Sequence, residues 1–182
     1  MTRWRVRELV TADLGWVARI IAGHPLWAPY GMGDAAAAEA RVRRLLARGE
    51  EGLALLGAPA GAQDAGKERP VGFALFTLGT LGNGGYLHLI GVAPEATGSG
   101  AGSALLAAVE ATLARRGVDR LLLLCNTRNL GAQRFYERAG YEPVGLLRDW
   151  AVAGQHERIY LKRPLVAQGP DEAPGPGDGG DG

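Results

Sequence analysis

A single cysteine, Cys125, stands among 182 residues. One thiol excludes a disulfide framework and a cysteine metal site, and no metal is expected. No apolar run is long enough to span a bilayer, and no segment reads as a secretory leader. A cytoplasmic location without a membrane partner is therefore expected. The formal net charge is only +1, which leaves no global attraction toward nucleic acid, and none is expected as a partner. Internal repeats are lacking as well. Glycine, at 29 residues, is abundant, but much of it falls in one internal stretch and in the tail, so the chain is not fibrous. With 47% hydrophobic residues the chain suits one domain with one core, expected over 1–166. Residues 167–182 hold Gly, Pro, Asp and Glu without an apolar anchor and read as disordered. That tail carries Asp171, Glu172, Asp178 and Asp181, and without those four charges the net charge becomes +5.

Periodicity gives the elements. Residues 4–9 alternate as a strand. Leu14, Val17, Ala18 and Ile21 recur at helical spacing behind Asp13. A break containing His24, Pro25, Trp27, Pro29 and Tyr30 follows. Asp34 is placed to cap a second helix over 35–48, and 53–57 reads as a short strand. A small-residue loop over 58–69 leads to a strand over 71–81, a glycine hairpin at 82–85 and a buried strand over 86–92. Beyond the centre of the chain, 141–147 and 156–162 read as closing strands around a turn with Asp149 and Trp150.

The organising stretch runs from His88 to Gly140. Gly98, Gly100 and Gly102 lie where a strand closed by Pro94 gives way to the apolar helical run Ala104, Leu105, Ala108, Val109 and Leu113. A helix beginning after alternating glycines turns its free N–H groups and positive dipole end outward, which suits a phosphate. Glycine admits positive φ and close ligand approach. No Gly-Lys-Ser/Thr follows, and the loop is not at a first strand turn, which argues against nucleotide triphosphatase and dinucleotide folds. Leu121 to Asn126 then reads as an apolar strand, and 129–140 as a helix stopped by Gly140.

Two blocks in this stretch resemble the GNAT N-acetyltransferase superfamily. The first is Val92-x-Pro94-x-x-x-Gly98-x-Gly100-x-Gly102-x-x-Leu105-Leu106. The second is Asn129-x-x-Ala132-x-x-Phe135-Tyr136-Glu137-x-x-Gly140-Tyr141. The order and separation match, and the blocks cover about a third of the chain. The resemblance implies a mixed α/β fold: a mostly antiparallel sheet, splayed between its fourth and fifth strands, with helices on both faces. It implies acetyl-coenzyme A as co-substrate and an amine acceptor, either a small molecule or a peptide N-terminus. The alternative it allows is a non-catalytic acyl-coenzyme A sensor. Homodimerisation is common in such proteins.

By the same resemblance, Ile90, Gly91 and Val92 pair with the pantetheine arm, and Gly98, Ser99, Gly100, Ala101, Gly102 and Ser103 hold the pyrophosphate. Asn129 and Ala132 are further coenzyme contacts. Tyr136 is the expected general acid: a phenol near pKa ~10 keeps its proton at neutral pH and can hand it to a thiolate whose conjugate acid is near ~8.5. Two departures stand out. Thr97 replaces a long donor, with Arg128, Arg134 or Arg138 as substitutes. The carboxylates that some members use as base are replaced by Tyr86 and Leu124, and the second loss argues against a ribosomal alanine acetyltransferase. His88 is the first candidate base, with Asp149, His156 and Glu157 as alternatives. Asn129 also fits a helix cap, Tyr136 and His88 fit structural roles, and Cys125 reads as a core residue.

Overall fold

The computed structural model describes residues 4–57, 69–80 and 82–165, so the expected loop up to Glu68 and the acidic tail lie outside the described residues. In chain order the elements are β1 (Arg5–Glu8), α1 (Leu14–Ala22), α2 (Ala35–Ala47), β2 (Glu51–Gly57), β3 (Arg69–Thr80), β4 (Gly84–Val92), α3 (Ala101–Arg115), β5 (Leu121–Asn126), α4 (Leu130–Arg138), β6 (Glu142–Leu147) and β7 (Glu157–Lys162).

Local chemistry sets the helix starts. Asp34 Oδ1 accepts the Ala37 N–H at 2.8 Å and caps α2. Ahead of α1, Asp13 accepts the Val10 N–H at 2.9 Å and a two-pronged grip from Arg7 at 2.6 and 2.8 Å. The guanidinium holds the Asp13 carboxyl below its ordinary pKa. The break between α1 and α2 is a 3-10 segment, Pro25–Tyr30, with proline in its first turn and Gly31 at φ 72° ending it.

The strands form one sheet in the order β1-β2-β3-β4-β5-β7-β6, antiparallel except for β4 and β5. This is the expected splayed sheet with helices on both faces. Helices α3 and α4 cover one face through Leu105, Leu106, Val109, Leu113 and Tyr136. Helices α1 and α2 cover the other through Val17, Ile21, Val42 and Leu45 against Phe73, Leu75 and Leu89. Each fully buried Leu, Ile or Phe contributes about 1.5–3 kcal/mol.

One irregularity governs the centre. Leu75 pairs with Leu89 and Phe76 with Leu87, so His88 is an extra residue without a partner on β3. Leu87 and Leu89, two positions apart, consequently fall into opposite cores. Tyr86 and His88 share a side, their rings 4.5 Å apart edge to face, as strand parity predicts. Ile90 and Val92 pack instead with the α3 face.

Candidate active site

The parallel ladder between β4 and β5 is only three pairs long, Gly85–Leu121, Tyr86–Leu122 and Leu87–Leu123. Beyond it the two strands part. From Leu89 to Val92, β4 bonds to β3 on one edge, and among the described residues no strand lies on the other. That fork offers backbone groups at a spacing only an extended ligand matches. Gly91 lies within it, and a Cβ there would stand 2.6 Å from Phe73 and 3.1 Å from Ile20. Close packing from the α1 side accounts for that glycine.

Gly98 and Gly100 adopt φ 75° and 84°, conformations that glycine takes without strain. They deliver the chain into α3, whose first N–H groups, on Ala101, Gly102 and Ser103, have no acceptor among the described residues. The fifteen-residue helix adds its dipole to these donors. Ser99 turns inward on the Ala96 carbonyl at 2.5 Å. Thr97 Oγ1 reaches only the Ala93 carbonyl, at 3.5 Å. Arg128 and Arg134 are exposed, whereas Arg138 lines a groove of about 280 Å³ between α3 and α4 with Ser103, Phe135, Glu110 and Lys162. Lys162 and Tyr141 both bond Glu110, at 2.7 and 2.9 Å, and so tie the far strands to α3.

Tyr136 is 7% exposed and packs its ring between Phe135, Tyr141 and Tyr160. Its hydroxyl makes no hydrogen bond among the described residues, unlike those of Tyr30, Tyr141 and Tyr160, which all donate to carboxylates. Burial raises its pKa, and its charged form would be opposed by Cys125 on β5 and Tyr86 on β4, the two sides of the fork. It therefore holds its proton firmly. Asn129 caps α4, accepting the Ala132 N–H at 3.1 Å, so the cap reading is occupied. Cys125 is buried with its pKa pushed up to about 12, which makes it a core residue and no nucleophile.

His88 lies beside the root of the fork. Its Nε2 is 3.2 Å from Thr77 Oγ1 and 3.5 Å from Glu50. Burial, and then Arg41, depress its pKa to about 4. Burial raises the Glu50 carboxyl above its ordinary value, with Arg41 and Arg48 opposing, and one of its oxygens is sealed without a partner. The imidazole is neutral at physiological pH.

The other candidate bases separate clearly. Asp149, at φ 50°, shapes the β6–β7 turn by accepting the Gly154 N–H at 2.6 Å, and His156 Nδ1 accepts the Asp149 N–H at 3.2 Å. Glu157, in contrast, is buried and takes a hydrogen bond from Tyr30, 127 residues away. Asn126, at the end of β5, donates to the Tyr30 oxygen at 2.7 Å and to Gln155 at 2.9 Å. The sequence placed Tyr30 in the break between two helices and did not single out Asn126, Gln155 or Glu50. A polar Asn at the end of the apolar strand LLLLC was the available signal. Among the described residues no cluster of His, Cys, Asp and Glu could hold a metal, and no helix is long and apolar enough to cross a membrane.

Comparison with known proteins agrees with this geometry. Two mycothiol acetyltransferases share short stretches: that of Salinispora arenicola is 45% identical over 58 residues, and that of Thermobispora bispora 40% over 57. Each match spans 31% of this chain and only 19% of the relative's length. Among solved structures, a putative GNAT acetyltransferase from Desulfovibrio desulfuricans superposes with a TM-score of 0.69 at 23% identity, covering 88% of this chain and 99% of that one. The ribosomal-protein-S18-alanine N-acetyltransferase of Escherichia coli gives 0.64 at 21%, covering 94% and 99%. These likenesses are of fold. The model of the acetyltransferase (GNAT) family matches residues 26–141, from the segment bearing Tyr30 through the fork and the glycine loop to the end of α4, and the chain belongs to that family.

Proposed function

We propose that the chain is an acetyl-coenzyme A-dependent N-acetyltransferase that moves the acetyl group directly onto an amine. The observation that carries this reading is the juxtaposition of an unpaired β4 edge, free amides at the start of α3, and an unbonded phenol at the same fork. The donor fits these residues: Ala101, Gly102 and Ser103 would hold its diphosphate, and the edge of Ile90, Gly91 and Val92 its pantetheine arm. Bound there, it supplies an activated thioester. The Val92 N–H would donate to the acyl oxygen as charge develops on it. Tyr136 would protonate the departing sulfur as the carbon–nitrogen bond forms and the carbon–sulfur bond breaks. His88, held neutral, would act on a water or the entering amine by hydrogen bonding.

The acceptor is a small amine or a peptide N-terminus. The names of the relatives, which concern mycothiol and a ribosomal protein, bracket that choice.

Thiol release from acetyl-coenzyme A across an amine panel tests the reading. Tyr136→Phe is expected to lower kcat by about 10²-fold or more with acetyl-coenzyme A affinity unchanged. Because that hydroxyl has no partner to lose, the folding midpoint is expected to stay in place. An unchanged kcat would remove Tyr136 from the chemistry.

A further inference from the structure

Glu157 is a buried carboxylate without a cation. It opens β7 directly opposite Asn126, the last residue of β5, and is 5% exposed. Two other sheltered carboxylates carry resident positive charge, Asp13 with Arg7 and Glu110 with Lys162, whereas Glu50 has only the neutral His88 within ion-pair distance. Among the described residues, no Lys or Arg pairs with Glu157. The titratable groups that face it are Tyr30 from the α1–α2 connection, Tyr86 from β4 and Cys125 from β5, each with its pKa pushed up to about 12 and hence neutral. Arg158, its exposed neighbour on β7, falls on the alternate side of the strand with Tyr160 and acts on Cys125. An uncompensated carboxylate in such a place is costly unless something binds it.

The surroundings are built rather than accidental. Asn126 engages both ends of its amide. Its oxygen accepts the Arg128 N–H at 2.8 Å, and its nitrogen donates to Gln155 and to the Tyr30 oxygen. With that lone pair engaged, the Tyr30 hydrogen is directed onto Glu157 Oε1. Oε2 makes no hydrogen bond among the described residues, yet it is not sealed as Glu50 Oε2 is, so the 5% of Glu157 left exposed leaves it within reach of a small cation. The network spans the fork on the α1–α2 face: Tyr30 comes from the segment following α1, which packs on β3 and β4, and Glu157 and Asn126 stand on the β5–β7 side.

We infer that Glu157 seats the protonated acceptor through Oε2 and removes one of its protons, so that the acceptor is an aliphatic primary ammonium rather than an arylamine or an alcohol. This rests on the acetyltransferase reading. The balance is simple. The ammonium gives one proton to Glu157 and becomes a neutral amine, and its nitrogen takes the acetyl group. The sulfur receives its proton from Tyr136, the second proton the nitrogen sheds returns to Tyr136 through solvent, and the proton on Glu157 is the one released. Burial raises the Glu157 pKa above the ordinary carboxylate range, with Tyr30 partly opposing, and this makes it a better base than an exposed glutamate.

Glu157→Gln keeps an acceptor for Tyr30 and removes the charge. Thiol release is followed with glycinamide, cysteinamide, spermidine and an alanine-initiated peptide, and with 4-fluoroaniline as a weakly basic control. With the best ammonium acceptor, kcat/KM is expected to fall by about 10²-fold at neutral pH. The deficit should shrink as pH rises toward the amine's own pKa, with aniline turnover and acetyl-coenzyme A affinity unchanged. Equal losses on aniline, or no loss on any ammonium, would overturn the assignment. A second arm does not need turnover: the Glu157 carboxyl carbon is followed by NMR in the full chain while n-butylammonium is added. A shift that tetramethylammonium does not reproduce is expected, and a resonance that ignores both cations overturns the seat. A protein that shows the shift but neither binds acetyl-coenzyme A nor releases thiol would instead sink the acetyltransferase reading alone.

Discussion

At the scale of single residues, the centre of the molecule is decided by which groups are kept neutral. His88 and Glu50, 3.5 Å apart, look like an ion pair by distance alone, but burial pushes the imidazole down and the carboxyl up. Their effects on stability have opposite signs. The folded state binds fewer protons than the unfolded state at His88 between the ordinary imidazole value of 6.5 and about 4, so the contribution of His88 is present above that window and is lost as pH falls through it. Glu50, with its pKa raised, contributes in the other direction, and stability is lost as pH rises through its window. Urea unfolding of the wild type and His88→Gln at neutral and mildly acidic pH separates the two. The wild type is expected to lose stability relative to the variant on acidification by on the order of 1–2 kcal/mol, discounted for a ring that still meets solvent. A gap independent of pH would mean that the ring titrates alike in the folded and unfolded chain. None of this was legible in the sequence. His88 stood out as a titratable group on a strand, but Glu50 and Thr77 join it only through sheet pairing.

At the scale of elements, the glycine loop and α3 form the part most plainly written in the sequence. Alternating glycines before an apolar 3.6-residue period give a helix start with exposed amides, and Gly98 and Gly100 do adopt left-handed backbone. The three glycines nevertheless differ in kind. A Cβ on Gly100 meets nothing within 4 Å, so Gly100→Ala is penalised only by its φ of +84°, about 1–2 kcal/mol. Gly102 is helical, and its Cβ would sit at ordinary contact distance from Phe135 and Val92, 3.6 and 3.7 Å away. Gly102→Ala is therefore expected to leave the folding midpoint unchanged or slightly raised, while weakening acetyl-coenzyme A binding because the methyl group narrows the way between β4 and α4. Gly100→Ala is expected to lower both. Calorimetric titration beside thermal unfolding checks the pair, and a Gly102→Ala protein with full affinity would place the coenzyme elsewhere. Helix periods, the Asp34 cap and the strand order along the chain were equally readable. The bulge at His88 was not, because it arises from how two strands pair and not from either strand alone.

At the scale of the whole molecule, the sheet is two plates held by few ties: a three-pair ladder, α3 lying across it, and the reach of Tyr30 to Glu157. The resemblance in sequence predicted a split between the fourth and fifth strands. What closes the split on its other face, a contact between residues 127 apart, had no local signal. An extended arm lodged in the fork supplies the rungs that β4 lacks, so binding should couple to the stability of the entire fold. At acetyl-coenzyme A near 100 times its dissociation constant, the gain is about 2.7 kcal/mol, or roughly 5–10 °C in unfolding midpoint for a chain of this size. The location of the effect is more telling than its size. Amide exchange is expected to slow along His88 to Val92, where β4 gains a neighbour, and at Ala101 to Ser103, where the diphosphate takes the free donors, while β1 and β6 exchange as before. Acetyl-pantetheine, which lacks the diphosphate, should protect the first segment and not the second. If saturating acetyl-coenzyme A protects neither, the fork is not its seat, and Tyr136 and Glu157 lose the geometry on which their roles depend.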